Sequence, residues 1–291
     1  MSDGAALRPA AEALAAPLPP LLAEAEHLAS TVLLGEHGRR RAGLGDEFWQ
    51  YRPATASDEA RAIDWRRSAR SDAHFVREKE WQAAQSVQLW VDDAASMRFS
   101  GDRNRPDKGA RARLLAMALS VLLIRGGERV GLYDERLRPA RGELQLLRLA
   151  EVLSREGAAA DYGAPEARGM LHHSRAVFLS DFLGDPAPVE AQLLKAADRG
   201  VRGALLMVLD PQEEEFPFDG RTIFESMSGA LRHETLQAGD LRTRYLDRLA
   251  ARKARLHDLA RLTGWQASVH HTGDPPLPAL LWLYRALERR R

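Results

Sequence analysis

From Ser86 onward, runs of apolar residues at strand length alternate with runs at helical spacing. "SVQLWVDD" is a buried strand by its apolar content, and "KGARARLLAMALSVLLIRGG" follows with Leu114, Ala118, Val121 and Leu122 on one helical stripe, stopping at Gly126-Gly127. "RVGLYD" is a strand, "ELQLLRLAEVLSREG" a helix ended by Gly157, "SRAVFLSDFL" a strand, "PVEAQLLKAADRG" a helix and "VRGALLMVLD" a further strand. "GRTIFESMSGALRHETL" has two short strands around a Ser-Met-Ser-Gly turn, which predicts a hairpin. A long helix is predicted over "GDLRTRYLDRLAARKARLHDLARLTG", with Asp240 as N-cap, Gly264 past its end, and a stripe of Leu241, Tyr245, Leu249, Leu256 and Leu259-Ala260. Strand "WQASVHHT" and helix "LPALLWLYRALERR" close the pattern. The alternation predicts an α/β fold, a mostly parallel sheet with helices on both faces.

Upstream the pattern is different. Leu22, Ala25, His27-Leu28 and Val32-Leu33 predict one amphipathic helix after Pro19-Pro20. The next stretch is glycine-punctuated, basic and then rich in aromatic bursts, with short strands predicted around Phe48–Tyr51 and His74–Arg77. It is too short and too charged to bury a core of its own. The expected organisation is an N-terminal extension over 1–37, a charged segment over 38–85 packing on the main domain, and that α/β domain over 86–291 with a hairpin insertion at about 213–238.

Composition narrows the chemistry. The chain has 291 residues, 45% hydrophobic and 29% charged, with a formal net charge of +1. That balance gives no push toward nucleic acid or an anionic membrane. Cysteine is absent, which removes disulfides, thiolate metal sites and cysteine nucleophiles. The start lacks a basic stretch leading into an apolar core, and "LLAMALSVLLI" falls short of the ~20 residues a membrane span needs. A soluble cytoplasmic protein without a membrane span is expected.

Four predicted strands end in acidic residues: Asp92-Asp93, Asp134-Glu135, Asp181 and Asp210. In an open parallel sheet, ligands bind beyond these ends, near the switch in strand order. Aspartate after a strand is also an ordinary turn former and N-cap, so a single one says little. There is no phosphate-binding loop, no Gly-x-Ser-x-Gly elbow and no His-Glu-x-x-His, and the pairs His172-His173 and His270-His271 lack ligand spacing. No catalytic constellation can be written. The basic clusters "GRRRAG" and "DWRRSARSD" are interleaved with acids, which favours internal ion pairing or a protein-facing surface over phosphate contact.

The arrangement Asp92, Ser96 and Asp181 resembles the metal-ion-dependent adhesion site of von Willebrand factor A-like domains. "DDAAS" matches the family's first and last positions but carries Ala94 at the middle one, "LSDF" is similar to the later aspartate motif, and "GMLHHS" offers no counterpart of its threonine. The segment "GDEFWQYRPATASDEARAIDWRRSARSDAHFVREKE", with "IDWR" its most telling part, resembles the signature of the bacterial domain-of-unknown-function family fifty-eight. That resemblance implies a von Willebrand factor A-like domain behind the segment and partnership with a MoxR-type AAA+ ATPase and a client protein. It also implies structural or docking roles for Arg52, Asp64, Trp65 and Arg66, with Trp65 anchoring the segment and Arg66 facing out.

Magnesium takes six oxygens, and Asp92, Ser96 and Asp181 would supply three, leaving the rest to water. Such a site is degenerate, with no cofactor or a weakly bound magnesium. Because neighbouring strand residues point to opposite faces, Asp92 facing the crevice leaves Asp93 to cap the next segment. Without a metal, Asp92 and Asp181 would present uncompensated charge able to attract a basic partner residue. The expected function is a non-enzymatic interaction module, an adaptor or co-chaperone. A divalent-metal enzyme or nuclease using the acidic crevice, and a structural scaffold of a larger complex, are the competing expectations.

Overall fold

Residues 19–36, 48–53, 63, 65–68, 75–79, 85–133, 137–155, 160–166, 170–229 and 232–288 are described by the structure, a computed structural model. The chain divides into two compact units, Met1–Gly35 with Gln85–Arg291, and Glu36–Ala84. Helix α1 (Pro20–Glu36) starts with proline in its first turn, where the missing N–H costs nothing. It buries Leu22, Ala25, Ala29 and Val32, spaced three and four apart, in the core of the larger unit. Within the smaller unit, β1 (Phe48–Pro53) pairs antiparallel with β2 (Phe75–Lys79), and the one-turn helix α2 (Trp65–Ser68) lies between them in sequence. The Phe75 N–H donates to Ser68 Oγ at 2.9 Å, which ties α2 to the start of β2.

The larger unit continues with β3 (Ser86–Val91), a 3₁₀ turn (Ala95–Arg98), α3 (Lys108–Arg125), β4 (Arg129–Leu132), α4 (Glu143–Leu153), β5 (Arg175–Ser180), α5 (Pro186–Asp198) and β6 (Arg202–Leu209). After the five-residue helix α6 (Pro211–Glu215) come β7 (Thr222–Glu225) and β8 (Arg232–Thr235), then α7 (Gly239–Thr263), β9 (Gln266–His271) and α8 (Pro276–Leu287). Five strands form one wholly parallel sheet in the order β4-β3-β5-β6-β9. Side chains alternate between its faces as the pleat demands. Leu89, Val177, Leu179, Leu206 and Val208 meet α1, α3, α4 and α8 on one side. Phe178, Leu205, Met207 and Leu209 meet α5 and α7 on the other. Both faces are covered, which is why these strands are apolar runs rather than alternating ones.

Helix ends follow the sequence with two differences. Helix α3 stops at Gly126, and α7 ends on Gly264 in the left-handed conformation (φ 72°). Asp240, however, lies inside α7, whose N-cap is Ala238 without a side-chain cap. Helix α4 ends at Leu153, and Gly157 lies outside the described residues. β7 and β8 make a two-stranded antiparallel sheet of their own and do not extend the main one.

Candidate functional site

The strand order reverses between β3 and β5, because the chain moves from β3 outward to β4 and returns past it to β5. At such a reversal the loops diverge and leave a crevice at the carboxyl ends of the strands. Asp92 and Asp181 follow directly on these two strands, joined by Asp92 N donating to the Leu179 carbonyl at 2.9 Å. They are 2% and 1% exposed.

Asp92 is held from inside. Its Oδ1 accepts from Ala94 N at 3.0 Å and its Oδ2 from Ser180 Oγ at 2.6 Å. Burial pushes its carboxyl up to about 6, against the pull of those two donors. Ser180 Oγ in turn accepts from Phe182 N at 2.9 Å. Phe182 sits at φ 49°, a left-handed backbone that costs a non-glycine residue roughly 1 kcal/mol. The bond into the β3 turn therefore comes from Asp92 itself, and Asp93, expected to cap the next segment, is exposed. The 3₁₀ turn has Ala94 as N-cap with no side-chain bond.

Asp181 has a cation. Lys108 Nζ lies 2.8 Å from Asp181 Oδ2 and 2.7 Å from Glu213 Oε1, with the lysine side chain 1% exposed. Asp181 Oδ1 accepts from Leu183 N at 3.0 Å. The third side of the ammonium faces the Phe99 ring, 5.7 Å from its centroid, within cation–π range. Burial pulls the ammonium pKa down, but the two carboxylates outweigh it and hold the group above the ordinary lysine value. One ammonium against two carboxylates leaves a negative charge in excess, and burial pushes the Glu213 carboxyl up. Glu213 also closes a capping box on α6, its Oε2 accepting from Asp210 N at 2.8 Å.

Asp210, after β6, is answered in the same way. Arg105 Nη1 lies 3.2 and 3.1 Å from its two oxygens, Thr272 Oγ1 donates at 3.0 Å and Gln212 N at 2.9 Å. Burial pushes this carboxyl up, and the donors more than offset that, holding it below the usual carboxylate range. Beside it, Arg111 Nη1 meets His270 Nε2 at 2.9 Å and Arg111 Nη2 donates to the Thr272 carbonyl at 3.0 Å. Burial and Arg111 hold His270 near 4, so it is neutral.

A short strap covers the crest. Ala95 N and Ser96 N donate to the carbonyls of Ala160 and Asp161 at 2.8 and 2.9 Å. A Cβ on Gly163 would lie 2.0 Å from Asp92 Oδ1, so only glycine fits there. Asp161 Oδ1 accepts from Ser228 N at 3.0 Å, joining the strap to the tip of the β7-β8 hairpin.

Of the residues expected from sequence, Asp92 and Asp181 follow neighbouring strands at this crest, and Ser96 lies in the turn after Asp92. The charge of Asp181 is answered by Lys108, whereas Asp92 has hydrogen bonds from Ser180 and Ala94 N and no cation beside it. The residues do not fit a divalent metal. All four carboxylate oxygens of Asp92 and Asp181 hold internal donors, and a resident ammonium stands on the acidic pair. Of these three residues, Ser96 is the one with a buried side-chain oxygen that has no hydrogen-bond partner. Among the described residues no three His, Asp or Glu side chains are placed to hold a metal ion. Trp65, at 57% exposure, and Arg66 lie on the surface of the smaller unit. Arg52 is in β1, and Asp64 and Asp134-Glu135 lie outside the described residues.

Lys108, Glu213 and Ser180 were missed. Lys108 carried a signal: it opens α3, where a cation opposes the helix dipole by ~0.3–1 kcal/mol. Among 42 basic residues the lysines are Lys79, Lys108, Lys195 and Lys253. A lysine at a helix start in an arginine-dominated chain needs a local partner. Glu213 was legible in "DPQE", three residues after an aspartate N-cap.

A family model described as "Protein of unknown function DUF58" matches residues 50–255, both the signature segment and the site. The chain belongs to this family. Among curated proteins none matches this DUF58 chain. It is similar to the crystal structure of an uncharacterized membrane spanning protein from Vibrio fischeri, at 17% identity over 70% of this chain and 99% of that chain, with a TM-score of 0.19. So low a score carries no argument about the fold of this DUF58 chain. The cytoplasmic location expected from sequence is withdrawn; "membrane spanning" is the description of the Vibrio fischeri protein and is said of that protein. Among the described residues, no helix is long and apolar enough to cross a membrane.

Proposed function

We propose that this chain is a non-catalytic interaction module, an adaptor or co-chaperone working with a MoxR-type AAA+ ATPase on a client protein. In this reading the larger unit is a von Willebrand factor A-like domain whose adhesion site has become an internally hydrogen-bonded crest with a lysine in it. The wholly parallel sheet, with Asp92 and Asp181 on the two strands that flank its reversal, supports the domain assignment. One observation carries the non-catalytic reading. The acids a metal enzyme would use are spent on Lys108, Ser180 and backbone N–H groups. Partner contact then falls to exposed groups, of which Trp65 and Arg66 in the signature segment are the first named. An exposed tryptophan beside an arginine is the composition that interface hot spots favour.

The test is capture of the MoxR-type ATPase encoded by the same organism, with ATP and magnesium, with ADP, and with magnesium alone. Nucleotide-dependent capture is expected. Equal capture in all three states would favour the structural scaffold instead, and no capture between folded proteins would overturn the reading.

A further inference from the structure

We propose that Lys108 is the resident cation of the crest, taking the place a divalent ion would hold between Asp181 and the neighbouring acids, so that this chain maintains the site without metal and can gain a metal site only by losing that lysine. A cation is favoured there, because Asp181 is buried, the Glu213 side chain is only 12% exposed, and two such carboxylates side by side resist joint ionisation without an opposing charge. A lysine ammonium is compact enough to stand between two oxygens at 2.7 and 2.8 Å, where the planar fork of arginine would need both on one edge. The stem is fixed because Lys108 begins α3 directly after the N-cap Asp107, whose side chain accepts from Ala110 N at 2.5 Å. The ammonium enters from the helix as a covalently tethered ion.

The substitution has two chemical consequences. A hydrated divalent ion exchanges its waters, so a partner's carboxylate can enter its coordination shell. Lys108 spends its donors on Asp181 and Glu213, turns its remaining side to Phe99 and is covered. The crest is thereby closed to a carboxylate from a partner. Removing the ammonium would leave Asp181 and Glu213 facing an opened space, with the unpartnered Ser96 Oγ in the adjoining turn. That oxygen set is the hard-ligand chemistry that suits magnesium or manganese.

The inference does not depend on the ATPase partnership, because the isolated chain suffices to test it. The wild type should retain no Mn2+ by electron paramagnetic resonance and keep its melting midpoint when millimolar Mg2+ or Mn2+ is added. Lys108→Ala should lower the midpoint by about 10 °C, since it strands the buried Asp181 beside the partly covered Glu213. The variant should bind Mn2+, recover stability with it, and lose both responses when Asp181→Asn is added. Should Lys108→Ala fail to fold, Lys108→Met keeps the stem, and the double variant Lys108→Met with Glu213→Gln removes one stranded charge and should melt above Lys108→Met alone. Stoichiometric Mn2+ binding by the wild type that Asp181→Asn abolishes would overturn the proposal. A folded lysine variant that stays blind to Mn2+ would overturn it equally, because the lysine would then be only a packing element.

Discussion

Asp92 and His270 are buried titratable groups whose ionisation acts on stability in opposite senses. The folded state raises Asp92 from 3.8 to about 6, so it binds that proton more tightly than the unfolded chain does. Its contribution is present at low pH and is lost as pH rises from 4 through 6, by about 3 kcal/mol. His270 falls from 6.5 to about 4, so the unfolded chain binds that proton more tightly. Its contribution is full above 6.5 and is lost as pH falls toward 4, again by about 3 kcal/mol. The two slopes nearly cancel between pH 4 and 6 in the wild type. Asp92→Asn should unmask a stability that rises with pH across that window, and should stabilise the protein at pH 7 by ~1–3 kcal/mol. Urea unfolding at a series of pH values measures both; an unchanged flat profile in the variant would refute the burial argument. Gly163→Ala is expected to cost ~2 kcal/mol or more, because its methyl group has no room beside Asp92.

The hairpin owes its position to an element outside itself. Phe216 follows α6 at φ 43°, and its ring lies 5.8 Å from Phe224 of β7 and 5.1 Å from Tyr245 of α7. Phe218 packs on Phe224 at 5.4 Å. This aromatic group fastens β7 to α7, while Asp161 receives the tip of the hairpin. Two strands of four residues are not stable alone, so those anchors hold it. Phe224→Ala is expected to cost ~3 kcal/mol and to make residues 221–236 cleavable by protease. Asp161→Ala should have a smaller effect, because its bonds to the Ser226–Ser228 turn are exposed ones. The hairpin also exposes Ile223, Met227 and Leu236, apolar groups on an element with few contacts to keep. If the hairpin contributes to partner selection, deleting residues 221–236 should reduce capture of the ATPase or client while the sheet still unfolds cooperatively. Full capture by the folded deletion would assign the hairpin no such part.

Across the whole molecule, α1 joins a core that begins fifty residues later in the chain. Leu22, Ala25, Ala29 and Val32 pack in the same cluster as α3, α4 and α8, and Arg125 Nη2 lies 2.5 Å from Glu26 Oε1. Leu22→Asp is expected to destabilise the larger unit by ~3 kcal/mol or more, read as a lower urea midpoint. The exposed ion pair should matter little, about 0–1 kcal/mol. At the same scale, the adaptor reading separates stability from binding. Trp65→Ala and Arg66→Glu, both on the surface of the smaller unit, should leave the unfolding midpoint of the larger unit unchanged and reduce ATPase capture about tenfold or more. Undiminished capture by these variants would move the docking surface elsewhere.

Secondary structure and layering were legible in the sequence because they depend on short-range periodicity. Strands buried on both faces must be apolar throughout, helices must repeat at three and four, and glycine must follow where the backbone turns left-handed, as at Gly264. Those constraints act within a dozen residues, so α3, α5, β5, β6 and the hairpin could be placed before any contact was known. The convergence of Asp92 with Asp181 was also foreseeable, since strand ends at a sheet reversal share one crevice. What answers those charges was not. Lys108 reaches Asp181 across 73 positions and Glu213 across 105, and Arg105 reaches Asp210 across 105. Such pairs leave no local pattern, because an ion pair is set by distance in space and by the dielectric around it. The sequence by itself determined where carboxylates would gather, and only the tertiary structure decided that a tethered ammonium stands among them.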